Sequence, residues 1–146
     1  MKIHIANRQR SIPLNLPWLQ NFANLALQKS VAHSANLLFA LSKIDEVEVA
    51  IVSDRTIAKV HRDFMGIPGP TDVITFEHGE IVMSAPTAQN YALTYGHPTE
   101  IELALYTIHG LLHLNGFEDK NPDDAALMKN IQERLLHDCL QLLPKL

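Results

Sequence analysis

Two histidines, His109 and His113, stand four residues apart in the stretch His109-Gly110-Leu111-Leu112-His113-Leu114-Asn115-Gly116-Phe117-Glu118-Asp119. On an α-helix this spacing puts both imidazoles on one face, about one turn apart, so both can point at one ion. Metal coordination is the chemistry the pair offers. Gly116 suits the left-handed position that ends a helix, after which the chain turns back and carries Glu118 and Asp119 toward the histidine face. A third ligand can come from there. Eight histidines scattered over 146 residues would give about 0.4 such pairs by chance, so the surrounding glycines and acids carry much of the weight. The plain structural alternative is a helix face with one solvated and one hydrogen-bonded histidine.

The elements that must hold this stretch follow from hydrophobic patterning. Thr99 or a residue close to it starts the motif helix, with Glu100 and Glu102 in its first turn, where the helix dipole favours acids. Its body, Ile101 to Ile108, is strongly apolar. That makes it the central helix, held against a sheet with the rigidity a metal site needs. Before it, Met1 to Ile5 alternates as a first strand with His4 facing out, and Pro17 opens a helix whose Trp18, Phe22 and Leu25 share a face. Val31 to Leu41 fits a helix or an irregular connection. Glu46 to Val52 is a strand, alternating and then continuously apolar, as where both faces become covered. Ser53 caps a helix to about Phe64, with Ile57, Val60 and Phe64 as its buried stripe and Arg55, Lys59 and Arg62 opposite.

Met65 to Pro70 is a turn-rich loop, and Thr71 to Phe76 and Glu80 to Ser84 are two strands short enough in their connection to pair antiparallel. Ser84 caps a helix with Pro86 in its first turn, running to about Tyr95 and stopped by Gly96. A last helix opens at Asn121-Pro122 and runs to about Leu143, with Leu127, Ile131, Leu135 and Cys139 or Leu142 inward. These elements predict a small α+β domain over residues 1–146, a mixed β-sheet packed against several helices. A net charge of −4 with 19% charged residues gives no overall positive field for nonspecific nucleic-acid binding, so any such contact is local. The Arg55, Lys59, Arg62 stripe is the candidate, since phosphate contacts need only positive charge at suitable spacing; a solvated helix face is its alternative. One cysteine, Cys139, allows no internal disulfide, and no apolar run reaches membrane-spanning length, so a cytoplasmic protein is expected.

The stretch His109 to Phe117 closely resembles the signature of the YbeY-type endoribonucleases, the bacterial ribosomal RNA maturation factors. Phe64-Met65-Gly66, then Pro70-Thr71-Asp72-Val73-Ile74-Thr75-Phe76 and Gly79-Glu80-Ile81, resemble that family's second block. The two blocks come in the right order and spacing. The resemblance implies a small α+β fold with one zinc ion held by three histidines. It also implies action on single-stranded RNA, processing of the 3′ end of 16S ribosomal RNA, ties to ribosome quality control, and ribosomal partners. Two positions depart from the family. Asp119 stands where its third histidine would fall, and two histidines with one carboxylate remain an accepted zinc set with a fourth position open for water. Met65 replaces a usual arginine that would hold phosphate; Arg62, one turn earlier, is the candidate substitute.

The activity implied is hydrolysis of an RNA phosphodiester by metal-activated water. Gly110 stands where zinc proteases carry a glutamate base, which speaks against a peptidase. Gly110 either leaves room beside the metal or allows close helix packing. Glu118 is the nearest candidate proton carrier in sequence, but a solvated turn residue is its more expected role. His97 and His137 are expected at the surface, His78 is placed to line the cleft, and Thr71 and Asp72 to shape its wall. Two further functions compete: a ribosome-assembly or RNA-binding factor with little catalysis, and another two-histidine, one-carboxylate enzyme such as an iron oxygenase.

Overall fold

The computed structural model describes residues 1–35 and 41–146. Four strands, β1 (Lys2–Asn7), β2 (Glu46–Val52), β3 (Val73–Phe76) and β4 (Glu80–Ser84), form one mixed sheet. Its order is β1-β2-β4-β3, with β1, β2 and β4 parallel and β3 antiparallel to β4 at the edge. Among the described residues are five α-helices, α1 (Leu16–Ser30), α2 (Asp54–Met65), α3 (Ala85–Tyr95), α4 (Thr99–Leu114) and α5 (Pro122–Leu140); α1, α2 and α4 pack on the sheet, and α3 and α5 pack on α4. The mixed α+β architecture read from the sequence is the one found. Of the ambiguous stretch Val31 to Leu41, residues 36–40 lie outside the described residues, 31–35 form turns and irregular backbone, and Leu41 opens a short 3-10 turn to Lys43.

The period of two in β2 sorts its residues between two cores. Val47, Val49 and Ile51 face one side, with Ile81 and Met83 of β4, in one core with α1, α4 and the inner face of α5. Ala50 and Val52 face the other, with Ile74 and Val82, and are covered by Ile57 of α2. Helix ends follow the capping residues. Ser53 accepts from Thr56 N at 3.2 Å, Ser84 from Thr87 N at 3.1 Å and Asn121 from Asp124 N at 2.9 Å. The carboxylate of Asp54 accepts from Thr87 Oγ1 at 2.9 Å and from the Ser84 hydroxyl, so the starts of α2 and α3 are tied together.

Two stripes differ from expectation. Phe64 is 70% exposed instead of buried, because α2 passes over the edge strand and its last turn has no further strand beneath it. Leu127 of α5 is 52% and Leu142, beyond its end, 61% exposed, and Met128 joins Leu135 and Cys139 on the inward face. A row spaced by fours drifts about 40° per step on an α-helix, so Leu127 lies some 120° from Cys139, whereas Met128, eleven residues before it, is offset by only about 20°. Helix α5 also ends at Leu140, short of Leu143. Cys139 is fully buried, and burial pushes its thiol up to about 11, so it is an inert core residue.

Helix α4 is the most buried of the described helices: Leu103, Ile108, Leu111 and Leu112 are all inaccessible. Each such side chain contributes about 1.5–3 kcal/mol relative to an exposed one, which outweighs the cost of half-burying two imidazoles on the same helix. The close approach to the sheet occurs at Gly110. A Cβ there would lie 2.6 Å from Ile81 Cδ1 and 2.9 Å from Cγ1, so this glycine serves helix–sheet packing. Ile81 is buried and stiff at χ1, and cannot swing away freely. Gly110→Ala is therefore expected to destabilise the protein by about 1–2 kcal/mol net, the overpacking cost exceeding the gain in helix propensity; urea unfolding checks this.

Candidate metal centre

The His109 and His113 rings stand on the outer edge of α4, their centroids 4.5 Å apart and their planes nearly perpendicular. Just beyond them the helix ends. Asn115 is buried, and its amide nitrogen donates to the carbonyls of Ser30 at 2.5 Å and His33 at 2.6 Å while its oxygen accepts from Leu41 N at 2.6 Å. Gly116 takes φ 97°, where a side chain would be strained, and reverses the chain. Phe117 is thereby brought back so that its carbonyl lies 2.9 Å from His113 Nδ1. Two residues on, the Asp119 carboxylate comes to 3.6 Å from His109 Nε2 and 3.8 Å from His113 Nε2. Gln132 of α5 places Oε1 2.7 Å from His109 Nδ1.

These second partners fix the chemistry of the rings. A carbonyl can only accept, so His113 carries its proton on Nδ1; with the Gln132 amide in the orientation found, so does His109. Both Nε2 lone pairs then face one another across 2.9 Å. Two lone pairs at that distance repel unless a proton or a cation lies between them. A tetrahedral ion with bonds of about 2.0–2.1 Å requires donor separations of about 3.3 Å, and the observed 2.9, 3.6 and 3.8 Å straddle it. One donor atom from each of His109, His113 and Asp119 lies within 4.8 Å of the others. The donor set fits a divalent ion such as zinc.

The three residues open onto a cleft of about 420 Å3. Its walls are Val73 and Thr75 of β3, Glu77 after it, Met65 at the end of α2, and Glu118 and Lys120 of the loop. Among the described residues lining it, Lys120 is the one ammonium or guanidinium group. Met65 presents an apolar side chain to this space, and Arg62 does not line it; its guanidinium lies 3.4 Å from Asp63. Lys59 likewise pairs with Asp63, at 2.9 Å, while Arg55 is exposed on the same helix. Thr71 and Asp72 stand behind the wall: the Asp72 carboxylate accepts from Val73 N at 2.7 Å and its carbonyl from Ser84 N at 2.9 Å, anchoring β3.

His78 does not reach the cleft; it stacks on Phe76 over a separate cavity. His97, expected at the surface, is half-buried, with Nε2 2.8 Å from the buried Glu102 carboxylate. Glu102 is therefore an internal partner as well as a first-turn acid, and neither residue joins the metal group. His137 is exposed, as expected. Sequence reasoning missed Gln132 and Asn115. Neither has a local pattern that announces it, since each acts on an element distant in the chain.

A small mixed α+β domain with a two-histidine, one-aspartate cluster at the floor of an edge-strand cleft is the class this fold and site define. The family model described as "Endoribonuclease YbeY" matches residues 4–140, and the chain belongs to that family. It is 30% identical to the Endoribonuclease YbeY of Syntrophomonas wolfei, covering 94% of this chain and 96% of that protein. With the Shouchella clausii protein of the same name the figures are 33%, 77% and 83%. The solution structure of TM1509 from Thermotoga maritima is similar at a TM-score of 0.62 and 27% identity, over 94% of this chain and 88% of that one.

Burial holds the His109 imidazole below its ordinary range, with the neighbouring His113 adding to this and the Gln132 hydrogen bond and the Asp119 charge opposing it. Its folded-state pKa thus lies below that of the unfolded chain, about 6.5. As pH falls through this window the unfolded chain takes up the proton first, so stability decreases. Urea unfolding in chelator at pH 7.5 and pH 5.5 should show a loss of stability at the lower pH that is smaller in His109→Gln.

Proposed function

We propose that the chain, over residues 1–146, is a metal-dependent endoribonuclease that cleaves single-stranded RNA, with His109, His113 and Asp119 holding one zinc ion. The observation that carries this is the pair of facing Nε2 lone pairs beside the Asp119 carboxylate, each ring held by a partner on Nδ1. Family membership supports RNA as substrate. A zinc ion in this set supplies a Lewis acid for a phosphoryl oxygen and a means of ionising water near neutral pH. The chain's own residues do the rest. Phe117 and Gln132 keep both imidazoles in the tautomer that offers Nε2. Lys120 faces the cleft as a cation for the substrate phosphate. Arg55, Lys59 and Arg62 provide a charged edge on α2 for more distant phosphates, screened by Asp63 at two of the three.

The biological setting follows the family: processing of the 3′ end of 16S ribosomal RNA and ribosome quality control, with the ribosome as partner, in the cytoplasm. Among the described residues no helix is long and apolar enough to cross a membrane. A second reading, an RNA-binding assembly factor with weak catalysis, is favoured by one observation: Met65 brings no charge to the cleft wall.

Purified protein is expected to carry close to one equivalent of zinc by elemental mass spectrometry, and to lose it in His113→Ala and in Asp119→Ala. Gln132→Ala should retain the fold and bind zinc about 10–100-fold more weakly in chelator competition. Zinc retained by Asp119→Ala would make that residue a bystander. Cleavage of a single-stranded RNA should stop in chelator and return on adding zinc. Binding without cleavage in both conditions would favour the assembly factor.

A further inference from the structure

Phe64 is the anomaly of the second core: a phenylalanine 70% exposed at the end of a helix that buries Ile57 and half-buries Val60. Its ring meets Phe76 edge-on at 5.3 Å, and Phe76 in turn stacks on His78 at 5.9 Å. With Val60, Glu80 and Val82 these three enclose an open cavity of about 130 Å3, well below the roughly 300–1,000 Å3 of ordinary ligand pockets. It has room for one flat ring and little more. The cavity lies across the edge strand from the metal cleft. Met65, Thr75 and Glu77 line the cleft, while their chain neighbours Phe64, Phe76 and His78 line the cavity. The last turn of α2 and the edge strand β3 are the wall between them.

We infer that this cavity is a base-binding subsite, taking one unpaired nucleobase of the RNA strand whose phosphodiester lies in the metal cleft. The inference rests on the endoribonuclease reading and deepens it. Exposed aromatic rings give every base a stacking partner, independent of hydrogen-bond readout. Glu80 stands at the rim, 3.2 Å from His78 Nε2, and its carboxylate can accept from the exocyclic amino group of cytosine or adenine. Lys59 and Arg62, which share Asp63 as partner, and the exposed Arg55 stand on the same helix as Val60 and Phe64, so positive charge for the flanking phosphates lies beside the apolar surface. This charge on α2 favours a nucleic-acid strand over an apolar protein segment. A base held here also accounts for a preference for single strands, since a paired base cannot leave its stack without cost.

Stopped-flow anisotropy of a labelled single-stranded oligoribonucleotide, read before turnover, tests this with the metal-loaded protein. Phe64→Ala should bind about 5- to 100-fold more weakly, with zinc content and circular dichroism unchanged, since the side chain is exposed. Phe64→Leu, which keeps apolar bulk and removes the π face, should lose most of the same affinity, and Phe64→Tyr should restore it. Strands carrying one abasic residue, placed at each position in turn, should weaken the natural protein at one position and leave Phe64→Ala indifferent there. Equal affinity of the natural protein and Phe64→Ala overturns the subsite, leaves the endoribonuclease reading standing, and assigns the patch to an apolar protein partner. Failure of the natural protein to bind RNA overturns both.

Discussion

The way α4 ends governs the rest of the site. Asn115 commits both side-chain donors and its carbonyl oxygen to backbone groups of Ser30, His33 and Leu41, and Gly116 turns the chain in a conformation other residues avoid. Those contacts are buried, so a missing partner would leave an unsatisfied polar group at a cost of about 1–3 kcal/mol each. The helix terminus cannot slide. Because it is fixed, the Phe117 carbonyl meets His113 and the Asp119 carboxylate meets both imidazoles, and three residues within a span of eleven converge on one point.

The sheet supplies the other half of the arrangement. Helix α4 is pressed so closely on β4 that Gly110 has no space for a methyl group against Ile81, and this sets the depth of the histidine face below the surface. Strand β3 runs antiparallel at the edge and forms the opposite wall, so the cleft is a gap between a helix and the last strand of a sheet. Anchoring of β3 by Asp72 keeps that wall in place. Helix α5, by reaching His109 through Gln132, closes the circle of elements around the ligands. A rigid scaffold on four sides leaves little freedom at the donor atoms, which is the condition for binding one ion well.

The departures at Met65 and Asp119 have different physical weight. Asp119 puts a carboxylate where the family resemblance places a neutral imidazole, 3.6 and 3.8 Å from the two Nε2 atoms, so three candidate donors still converge. Met65 changes the field of the cleft: Glu77, Glu118 and Asp119 line it against the ammonium of Lys120. The cleft carries less positive charge than an arginine at position 65 would give it.

The histidine pair, the glycine that ends its helix and the acid beyond were legible in the sequence because they are local: a period of 3.6 and a positive-φ glycine act over a few residues. Caps at Ser53, Ser84 and Asn121, the strand that becomes buried on both faces and the antiparallel edge hairpin were legible for the same reason. What the sequence left open depended on partners far along the chain. Whether Phe64 is buried depends on how many strands lie under α2, and whether Leu127 or Met128 faces in depends on the angle accumulated over three turns of α5. His97 becomes internal only because Glu102 is buried beside it, and Gln132 and Asn115 act on rings and carbonyls brought to them by packing. Hydrophobic pattern states which side of an element is apolar; only the assembled sheet and helices decide how much of that side finds something to cover it.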